Sequence, residues 1–236
     1  MTRLLVLAGG FGTRLRSAVT DVPKPLAPVA GRPYLHYLDE SWTAQGVSDI
    51  TFLLHYEAEM MKAFVKDQKK EGPLRGCSVD VVLEPTPMGT GGAIAYAVRQ
   101  LGIEGDFLVA NADTWLGNGI RAVASTATPA MATIEVGDVS RYGNVDVYKG
   151  RVQGFREKQQ SCGQGWINAG LYHLDSKIFA NWDGAPCSIE RDIFPGIAQS
   201  GLLNAVALNT DFIDIGVPED YFRFCRWIES GRRGAL

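Results

Sequence analysis

Short apolar runs alternate with longer amphipathic stretches along the first 110 residues of the chain. Four apolar runs predict buried strands, and they cover residues 4–8, 50–54, 79–83 and 107–110. The stretches between them carry apolar residues at three- and four-residue spacing, which is typical of helices, over residues 33–46, 58–65 and 92–101. This alternation of strand and helix predicts an α/β fold with a mostly parallel, twisted sheet and helices on both faces.

The pattern changes beyond about residue 130. Strand-like segments separated by short turns cover residues 131–136, 144–148, 153–156 and 166–173. They predict a small mixed or antiparallel extension that lies over the parallel half. Helices are expected over residues 175–182, 191–199 and 218–229. Because the sequence contains no linker, low-complexity stretch or internal repeat, we expect a single domain over residues 1–236.

The composition is that of an ordinary globular protein, with 46% hydrophobic and 21% charged residues. A formal net charge of -3 and a pI of about 5.7 argue against a nucleic-acid partner, because such proteins carry a broad basic surface. The sequence contains no run of about 18 apolar residues, so no membrane helix is predicted. The apolar run of residues 4–8 is too short for a signal-peptide core. We therefore expect a cytoplasmic protein without a membrane partner. The scattered cysteines and histidines favour reduced thiols and argue against a zinc site.

The first predicted strand runs into a glycine-rich loop, Leu7-Ala8-Gly9-Gly10-Phe11-Gly12-Thr13-Arg14-Leu15. Small residues after a strand let the main chain approach a ligand, and main-chain N–H groups bind phosphate. Two common phosphate loops do not match, because the dinucleotide fingerprint would need glycine at Leu15 and the Walker loop needs a Gly-Lys pair. The guanidinium group of Arg14 suits phosphate oxygens. The alternative is a tight turn that carries a surface arginine.

A second cation, Lys24, lies between Pro23 and Pro25. The two prolines stiffen the backbone and restrain the position of the ammonium group. Taken alone, Lys24 would be interpreted as an exposed loop lysine.

Together, the glycine-rich loop and the Pro-Lys-Pro segment resemble the sugar-phosphate nucleotidyltransferases. The resemblance continues along almost the whole chain, in the order of that family's motifs. The further segments that carry it are Glu84-Pro85-Thr86-Pro87-Met88-Gly89-Thr90-Gly91-Gly92-Ala93, Asn111-Ala112-Asp113, Tyr142-Gly143, Phe155-Arg156-Glu157-Lys158, Asn168-Ala169-Gly170-Leu171-Tyr172 and Asp214-Ile215-Gly216-Val217-Pro218-Glu219-Asp220-Tyr221. Each segment is weak alone, but all of them in order are specific.

The resemblance implies a Rossmann-like fold in which residues 1–115 bind mainly the nucleotide and the extension over residues 130–220 binds mainly the sugar. It implies that a sugar 1-phosphate and a nucleoside triphosphate give a nucleotide sugar and pyrophosphate. The nucleotide-binding residues carried over from the family are Leu7, Ala8, Gly9, Gly10, Gly12, Thr13, Arg14, Glu84, Gly89, Thr90 and Asn111. The sugar-binding residues are Tyr142, Gly143, Glu157, Lys158, Asn168 and Ala169.

This chemistry needs no general base, because the attacking phosphate oxygen is already ionised at neutral pH. Positioning and electrostatics should therefore carry the catalysis. By the resemblance, Arg14 would hold the triphosphate and the leaving pyrophosphate, and Lys24 would neutralise charge near the reacting phosphates. Lys158 would bind the sugar phosphate.

By the same resemblance, Asp113 and Asp214 would share a Mg²⁺ ion. Each follows an apolar run, which fits ligands placed at neighbouring strand ends, where open α/β sheets bind ligands. Each candidate also has an ordinary alternative when taken singly. Asp113 would cap the next helix, Asp214 would be a turn residue beside Gly216, and Lys158 would pair with Glu157 on the surface.

Glu84 bears on the choice of base. If it faces the base, its carboxylate only accepts hydrogen bonds, and guanine offers two adjacent donors, whereas uracil and thymine offer one donor beside an acceptor and cytosine offers an amine alone. This favours GTP. It agrees with a likeness, within the family, to the D-glycero-α-D-manno-heptose 1-phosphate guanylyltransferases, which rests on residues 10–17, 21–29, 89–94 and 212–221. The alternatives are that Glu84 points to solvent and a main-chain group near Gly89 reads the base, or that the protein is a uridylyl- or cytidylyltransferase for another sugar or polyol phosphate.

One position departs from the family pattern, which usually has glycine before its first metal-binding aspartate, where this chain has Ala112. Alanine permits close approach only if its φ is negative. A non-catalytic relative that binds nucleotide sugars would be expected to have lost Arg14, Lys24 or an aspartate, and Leu15 disfavours a nicotinamide-dependent oxidoreductase. The exact sugar and the oligomeric state stay open, with a homodimer as one alternative.

Overall fold

The computed structural model describes residues 3–156 and 163–232. In these ranges the strands are β1 Leu4–Leu7, β2 Pro28–Val29, β3 Arg32–Pro33, β4 Asp49–Leu54, β5 Ser78–Leu83, β6 Asp106–Asn111, β7 Thr114–Leu116, β8 Ala130–Val136, β9 Asn144–Tyr148, β10 Arg151–Arg156, β11 Gly165–Asp175, β12 Asn204–Leu208 and β13 Phe212–Asp214. The helices are α1 Tyr34–Ala44, α2 Ala58–Glu71, α3 Gly89–Leu101, α4 Ile120–Ala124, α5 Phe194–Gln199 and α6 Pro218–Glu229. Short 3₁₀ turns cover Thr13–Leu15, Lys24–Leu26 and Ser176–Phe179, and a π-helical turn covers Ile189–Ile193.

The main sheet has nine strands in the order β5-β4-β1-β6-β11-β8-β12-β10-β9. Strands β5, β4, β1 and β6 are all parallel, and β1 pairs with β4 on one side and β6 on the other. The carboxyl ends of β1 and β6 therefore lie side by side at one edge of the sheet. The predicted α/β fold with a mostly parallel first half is confirmed.

The later strands continue the same sheet and do not lie over its parallel half, so that part of the prediction was wrong. Strand β11 runs antiparallel to β6, with Leu171 opposite Ala110, and pairs on its other side with β8. Because β11 is eleven residues long, its second half covers the free edge of β6 while its first half reaches beyond it. Strand β12 lies parallel to β8, so the extension is mixed, as predicted.

Helices cover both faces of the sheet. Leu4 and Val6 of β1 point to the face covered by α1, α2 and α6, whereas Leu5 points to the face covered by α3 and α5. This alternation follows from the two-residue period of a strand. Since both faces are covered, the central parallel strands β1, β4 and β6 are mostly apolar, which explains why the sequence pattern located them.

Two predicted helices differ from the structure. Residues 175–182 form only the 3₁₀ turn Ser176–Phe179, because Asp183 and Gly184 begin a turn in which Asp183 Oδ1 accepts a hydrogen bond from the Ala185 N–H at 2.8 Å. Residues 191–199 begin within the π-helical turn, and the α-helix starts only at Phe194, where Pro195 fits the first turn. Among the described residues, none of the helices is long and apolar enough to cross a membrane.

Candidate active site

The glycine-rich loop after β1 brings Lys24 close to the sheet edge. Gly12 has a φ of 59°, which favours glycine, and a Cβ atom there would lie 2.9 Å from the Cβ of Lys24. The next residues form the 3₁₀ turn that carries Arg14. Glycine at position 12 thus lets two cations from separate segments of the chain converge.

A small two-stranded sheet brings the two candidate aspartates together. Strand β13 pairs antiparallel with β7, so Asp214 lies opposite Thr114, and the N–H of Ile215 donates to the carbonyl of Asp113 at 3.0 Å. A strand, not a helix, follows Asp113, so the helix-cap alternative was wrong. Between β6 and Asp113, Ala112 is buried and does not adopt a positive φ, so alanine is accommodated there.

Lys24 lies between these two carboxylates. Its Nζ is 2.5 Å from Asp113 Oδ2 and 3.7 Å from Asp214 Oδ1, and its side chain is only 9% exposed. The exposed-lysine alternative was therefore wrong.

The two aspartates differ electrostatically. Burial by itself would raise the pKa of Asp113, but the charge and hydrogen bond of Lys24, with smaller contributions from Thr114 and Arg14, outweigh it and lower that pKa. For Asp214, burial and then the charge of Asp113 raise the pKa more than Lys24, the Gly216 N–H and Arg14 lower it. Asp113 is consequently the more readily ionised of the two.

The turn after Asp214 places Arg14 beside the pair. The N–H of Gly216 donates to Asp214 Oδ1 at 2.7 Å, so Asp214 does form the turn that its sequence context suggested. A Cβ atom on Gly216 would lie 2.8 Å from this Oδ1 and 3.3 Å from Arg14 Nη2. The absence of a side chain at Gly216 therefore allows an arginine, a lysine and two carboxylates to share one site.

A cleft with two compartments opens above this site. One compartment has a volume of about 360 Å³ and is lined by Leu7, Ala8, Gly10, Phe11, Gly12, Thr13, Arg14, Lys24, Pro25, Ala112, Asp113 and Gly216. The other has a volume of about 280 Å³ and is lined by Leu7, Gly9, Gly10, Phe11, Glu84, Pro87, Met88, Gly89, Thr90, Ala93, Asn111 and Asp113. All the residues assigned to the nucleotide from the sequence line one compartment or both.

Glu84 is buried in the wall of the second compartment, with 7% of its surface exposed, so it does not point to solvent. Its Oε2 accepts a hydrogen bond from the Met88 N–H at 3.0 Å, and a Cβ atom on Gly9 would lie 2.5 Å from its Oε1. Burial raises the pKa of Glu84, although the Met88 N–H and His55 oppose that shift. The carboxylate is thus held at a fixed position in the cleft.

The glycines at the start of α3 serve packing as well as ligand approach. The carbonyl of Cys187 accepts from the N–H groups of Gly91 and Gly92 at 2.9 and 3.1 Å, and a Cβ on Gly89 would lie 2.5 Å from the same oxygen. No motif in the sequence pointed to this segment. Its only signal was the run of helix-breaking and capping residues before Glu190.

Among the sugar-binding candidates, Tyr142, Gly143, Asn168 and Ala169 are described, and none of these four lines either compartment. Asn168 and Ala169 adjoin the cleft through Gly170, where a Cβ atom would lie 2.7 Å from Asn111 Nδ2. Asn168 is half-buried and Ala169 is fully buried. Glu157 and Lys158 lie outside the described residues.

The donor set of Asp113 and Asp214 fits magnesium. Mg²⁺ keeps several waters and is usually bound by one or two carboxylates together with substrate phosphates. Within residues 3–156 and 163–232, no group of three or more His, Cys, Asp or Glu is arranged to hold a metal ion. Two neighbouring carboxylates beside Arg14 and Lys24 therefore suit a metal that reaches the site with a phosphate ligand.

Comparison with known proteins gives consistent matches over nearly the whole chain. A family model described as nucleotidyl transferase matches residues 3–230. The chain is 33% identical over 226 residues to D-glycero-alpha-D-manno-heptose 1-phosphate guanylyltransferase of Campylobacter jejuni, covering 93% of this chain and 97% of that protein. It is 31% identical to the mannose-1-phosphate guanylyltransferase catalytic subunit beta of Xenopus tropicalis, covering 98% of this chain and 66% of that protein. The crystal structure of HddC from Yersinia pseudotuberculosis complexed with GMP-PN has a TM-score of 0.83 and 34% identity, covering 97% of this chain and 100% of that chain.

Proposed function

We propose, because this chain belongs to the nucleotidyl transferase family, that it is a magnesium-dependent enzyme that transfers GMP from GTP to D-glycero-α-D-manno-heptose 1-phosphate. Members of this family generally use a divalent metal. The observation that carries the proposal is the placement of Lys24 between Asp113 and Asp214 beside the glycine-rich loop. That arrangement combines the cations and the metal-binding carboxylates that phosphoryl transfer requires.

In the proposed reaction, an ionised oxygen of the sugar 1-phosphate attacks the α-phosphorus of GTP. A new phosphorus–oxygen bond forms, the bond from the α-phosphorus to the bridging oxygen breaks, and pyrophosphate leaves with that electron pair. The loop N–H groups and Arg14 hold the triphosphate, and Lys24 offsets the charge that builds up on the phosphoryl oxygens. When bound by Asp113 and Asp214, Mg²⁺ would supply further charge stabilisation. Lys158 is proposed to bind the sugar phosphate.

The preference for GTP rests on Glu84 and on the relatives. A buried carboxylate in the second compartment accepts hydrogen bonds only, so it matches the adjacent N1–H and N2 amine of guanine. The Campylobacter and Xenopus relatives are both named guanylyltransferases. We propose that Glu84 Oε1 reads the base, since Oε2 already accepts from Met88.

The choice of a heptose 1-phosphate rests on the Campylobacter relative, which matches this chain over 97% of its own length. The mannose enzymes share a similar identity but are longer than this chain. We propose that Tyr142, Gly143, Glu157, Asn168 and Ala169 contact the sugar, so that residues 130–220 contribute mainly to the sugar and residues 1–115 mainly to the nucleotide.

Pyrophosphate release tests this proposal directly. GTP, UTP, CTP and dTTP would each be combined with heptose, mannose and glucose 1-phosphates in the presence of Mg²⁺. We expect turnover with GTP and the heptose phosphate and little with the other pairs. Preferred turnover with a mannose phosphate would reject the sugar, preferred turnover with a pyrimidine triphosphate would reject the base, and no pyrophosphate from any pair would reject the proposed function.

A further inference from the structure

The carboxylate of Glu190 connects two walls of the site. On the nucleotide side, Thr90 Oγ1 donates to Glu190 Oε2 at 2.7 Å. On the sugar side, the Tyr172 hydroxyl donates to Glu190 Oε1 at 3.4 Å and accepts from Asn168 Nδ2 at 2.7 Å. Ser188 Oγ provides a third donor to this carboxylate, to Oε2 at 2.8 Å. Three uncharged hydroxyl groups thus converge on one carboxylate.

The hydrogen bonds of this network have a fixed direction. An ionised carboxylate only accepts, so both the Thr90 and the Tyr172 hydroxyls must donate to Glu190. Burial, and next the charge of Glu190, keep the pKa of Tyr172 well above its usual range, so its hydroxyl retains the proton that it donates. Tyr172 must therefore accept from the Asn168 amide. This assigns Nδ2 of Asn168 to Tyr172 and leaves Oδ1 to accept from the Gly170 N–H at 2.9 Å.

Two local distortions of the backbone bring the side chains of this network within hydrogen-bond distance. In a regular strand, residues four apart are separated by about 13 Å. Here residues 169–171 of β11 stand opposite the single residue Ala132 of β8, and this bulge brings Asn168 to Tyr172. Glu190 itself lies on the π-helical turn Ile189–Ile193, and such turns are frequent at functional sites.

The turn that carries Glu190 is held in place on both sides. The Ser188 N–H donates to Asp192 Oδ2 at 2.7 Å, and the Ile189 N–H donates to Thr90 Oγ1 at 3.0 Å. The Cys187 carbonyl accepts from the first turn of α3. These contacts fix Glu190 relative to the nucleotide wall, and Glu190 in turn orients the sugar wall.

We propose that Glu190 is a positioning residue for both substrates: it fixes Thr90 in the nucleotide wall and, through Tyr172, fixes the carboxamide of Asn168 for the sugar. The proposal rests on the proposed function in two respects, which are that Thr90 contacts the nucleotide and that Asn168 contacts the sugar. A carboxylate is required because an amide in its place would turn an N–H toward Thr90 or toward Tyr172, both of which donate. One side of the network would then lose its partner.

The test compares Glu190→Gln, Tyr172→Phe, the double variant and the matched control Glu104→Gln, which makes the same substitution at an exposed position outside the network. KM would be measured for GTP and for the sugar 1-phosphate that the wild type uses, with GTP affinity measured separately by calorimetry. We expect Glu190→Gln to raise both KM values, that for the sugar phosphate roughly tenfold. Tyr172→Phe should raise only the KM for the sugar phosphate, and Glu104→Gln should leave both within about twofold of the wild type.

The double variant separates positioning from general damage to the fold. If Glu190 acts on Asn168 through Tyr172, the double variant should raise the KM for the sugar phosphate no more than Glu190→Gln alone. Effects that multiply in the double variant, an unchanged KM in Glu190→Gln, or an equal loss in Glu104→Gln would each overturn the proposal. Should Glu190→Gln fail to fold, a normal KM for the sugar phosphate in Tyr172→Phe would overturn the proposal. An inactive wild type would reject the proposed function instead. The role of Glu190 would then be tested by GTP affinity alone, and an unchanged GTP affinity in Glu190→Gln would overturn that role.

Discussion

The ammonium group of Lys24 lies 2.5 Å from Oδ2 of Asp113, one of the two carboxylates that we propose for the metal. A cation at this position lowers the negative potential that a metal ion would meet there, and in the proposed complex it would also face the phosphates. Lys24→Ala should therefore have two opposite effects. Turnover should fall about 100-fold or more, because charge on the reacting phosphates is no longer offset. The apparent affinity for Mg²⁺ should rise, as measured from the dependence of pyrophosphate release on the Mg²⁺ concentration.

Arg16 provides the control for this experiment. It is an exposed cation of the same loop, and its guanidinium lies over the ring of Tyr56 at 5.1 Å instead of between carboxylates. Arg16→Ala should leave the apparent Mg²⁺ affinity within about twofold of the wild type. If Lys24→Ala kept both its turnover and its Mg²⁺ dependence, the role given to Lys24 would be wrong.

How far the sequence predicted this site depends on which residues carry a local signal. Strands β1 and β6 are apolar runs, ended by glycines and by the Asn111-Ala112-Asp113 motif, so their positions and the cleft at their ends followed from the pattern. The pairing of β7 with β13 did not follow, because both strands are only three residues long. Yet this pairing is what brings Asp113 and Asp214 together.

Glu190 shows a second limit of the sequence. Its partners Thr90 and Tyr172 are 100 and 18 residues away along the chain, so no spacing rule connects them. The π-helical turn on which Glu190 lies has no distinct periodicity over five residues. Contacts of this kind depend on tertiary packing and are found only once the strands are in place.

Glu84 and Gly9 yield a prediction about the base. Glu84→Gln replaces one acceptor with an amide that both donates and accepts, so it should lower kcat/KM for GTP by about tenfold or more and improve use of UTP and dTTP relative to GTP. Competition between the triphosphates in the pyrophosphate assay would measure the change. An unaltered preference would remove Glu84 from base recognition.

Gly9→Ala tests the same contact from the other side. A Cβ atom there would lie 2.5 Å from Glu84 Oε1, so the carboxylate would have to move while its other oxygen remains bonded to Met88. We expect a weaker preference for GTP with little loss of thermal stability. Gly137→Ala is the control, because a Cβ atom at Gly137 meets nothing within 4 Å.

Asp220 yields a prediction about the loop that precedes Tyr142. Its side chain is 4% exposed, and its Oδ2 lies 2.5 Å from Arg141 Nη2. This ion pair joins the first turn of α6 to that loop. Asp220→Asn should lower the free energy of unfolding by about 1–2 kcal/mol, since Arg141 is itself half-exposed and the pair is only partly shielded. If the loop holds the sugar, the KM for the sugar 1-phosphate should rise as well.

Glu219→Gln is the matched control for Asp220. Glu219 is the neighbouring residue and also approaches Arg141, with Oε2 at 3.7 Å from Nη1, but its side chain is 81% exposed. Its replacement should change the free energy of unfolding by less than about 0.5 kcal/mol. Equal losses in the two variants, measured by urea unfolding, would show that burial of Asp220 is not what matters.

Asp39 of α1 yields a prediction about pH. It is fully buried, and within the described residues neither carboxylate oxygen has a hydrogen-bond partner. Burial raises the pKa of Asp39 well above its usual range, so the folded chain binds this proton more tightly than the unfolded chain. The stability that comes from this proton is complete below the unfolded pKa of about 3.9 and is lost as the pH rises toward the higher folded pKa.

Asp39→Asn removes this titration and keeps a neutral side chain of the same shape. The variant should therefore be more stable than the wild type at about pH 8, by about 1 kcal/mol or more, and the gain should shrink toward about pH 4. Urea unfolding across this range would measure the difference, with Asp67→Asn, at an exposed position of α2, as the control that shows no such trend. A difference between Asp39→Asn and the wild type that stays constant with pH would mean that the folded and unfolded chains bind the Asp39 proton equally well, contrary to the burial of this carboxyl group.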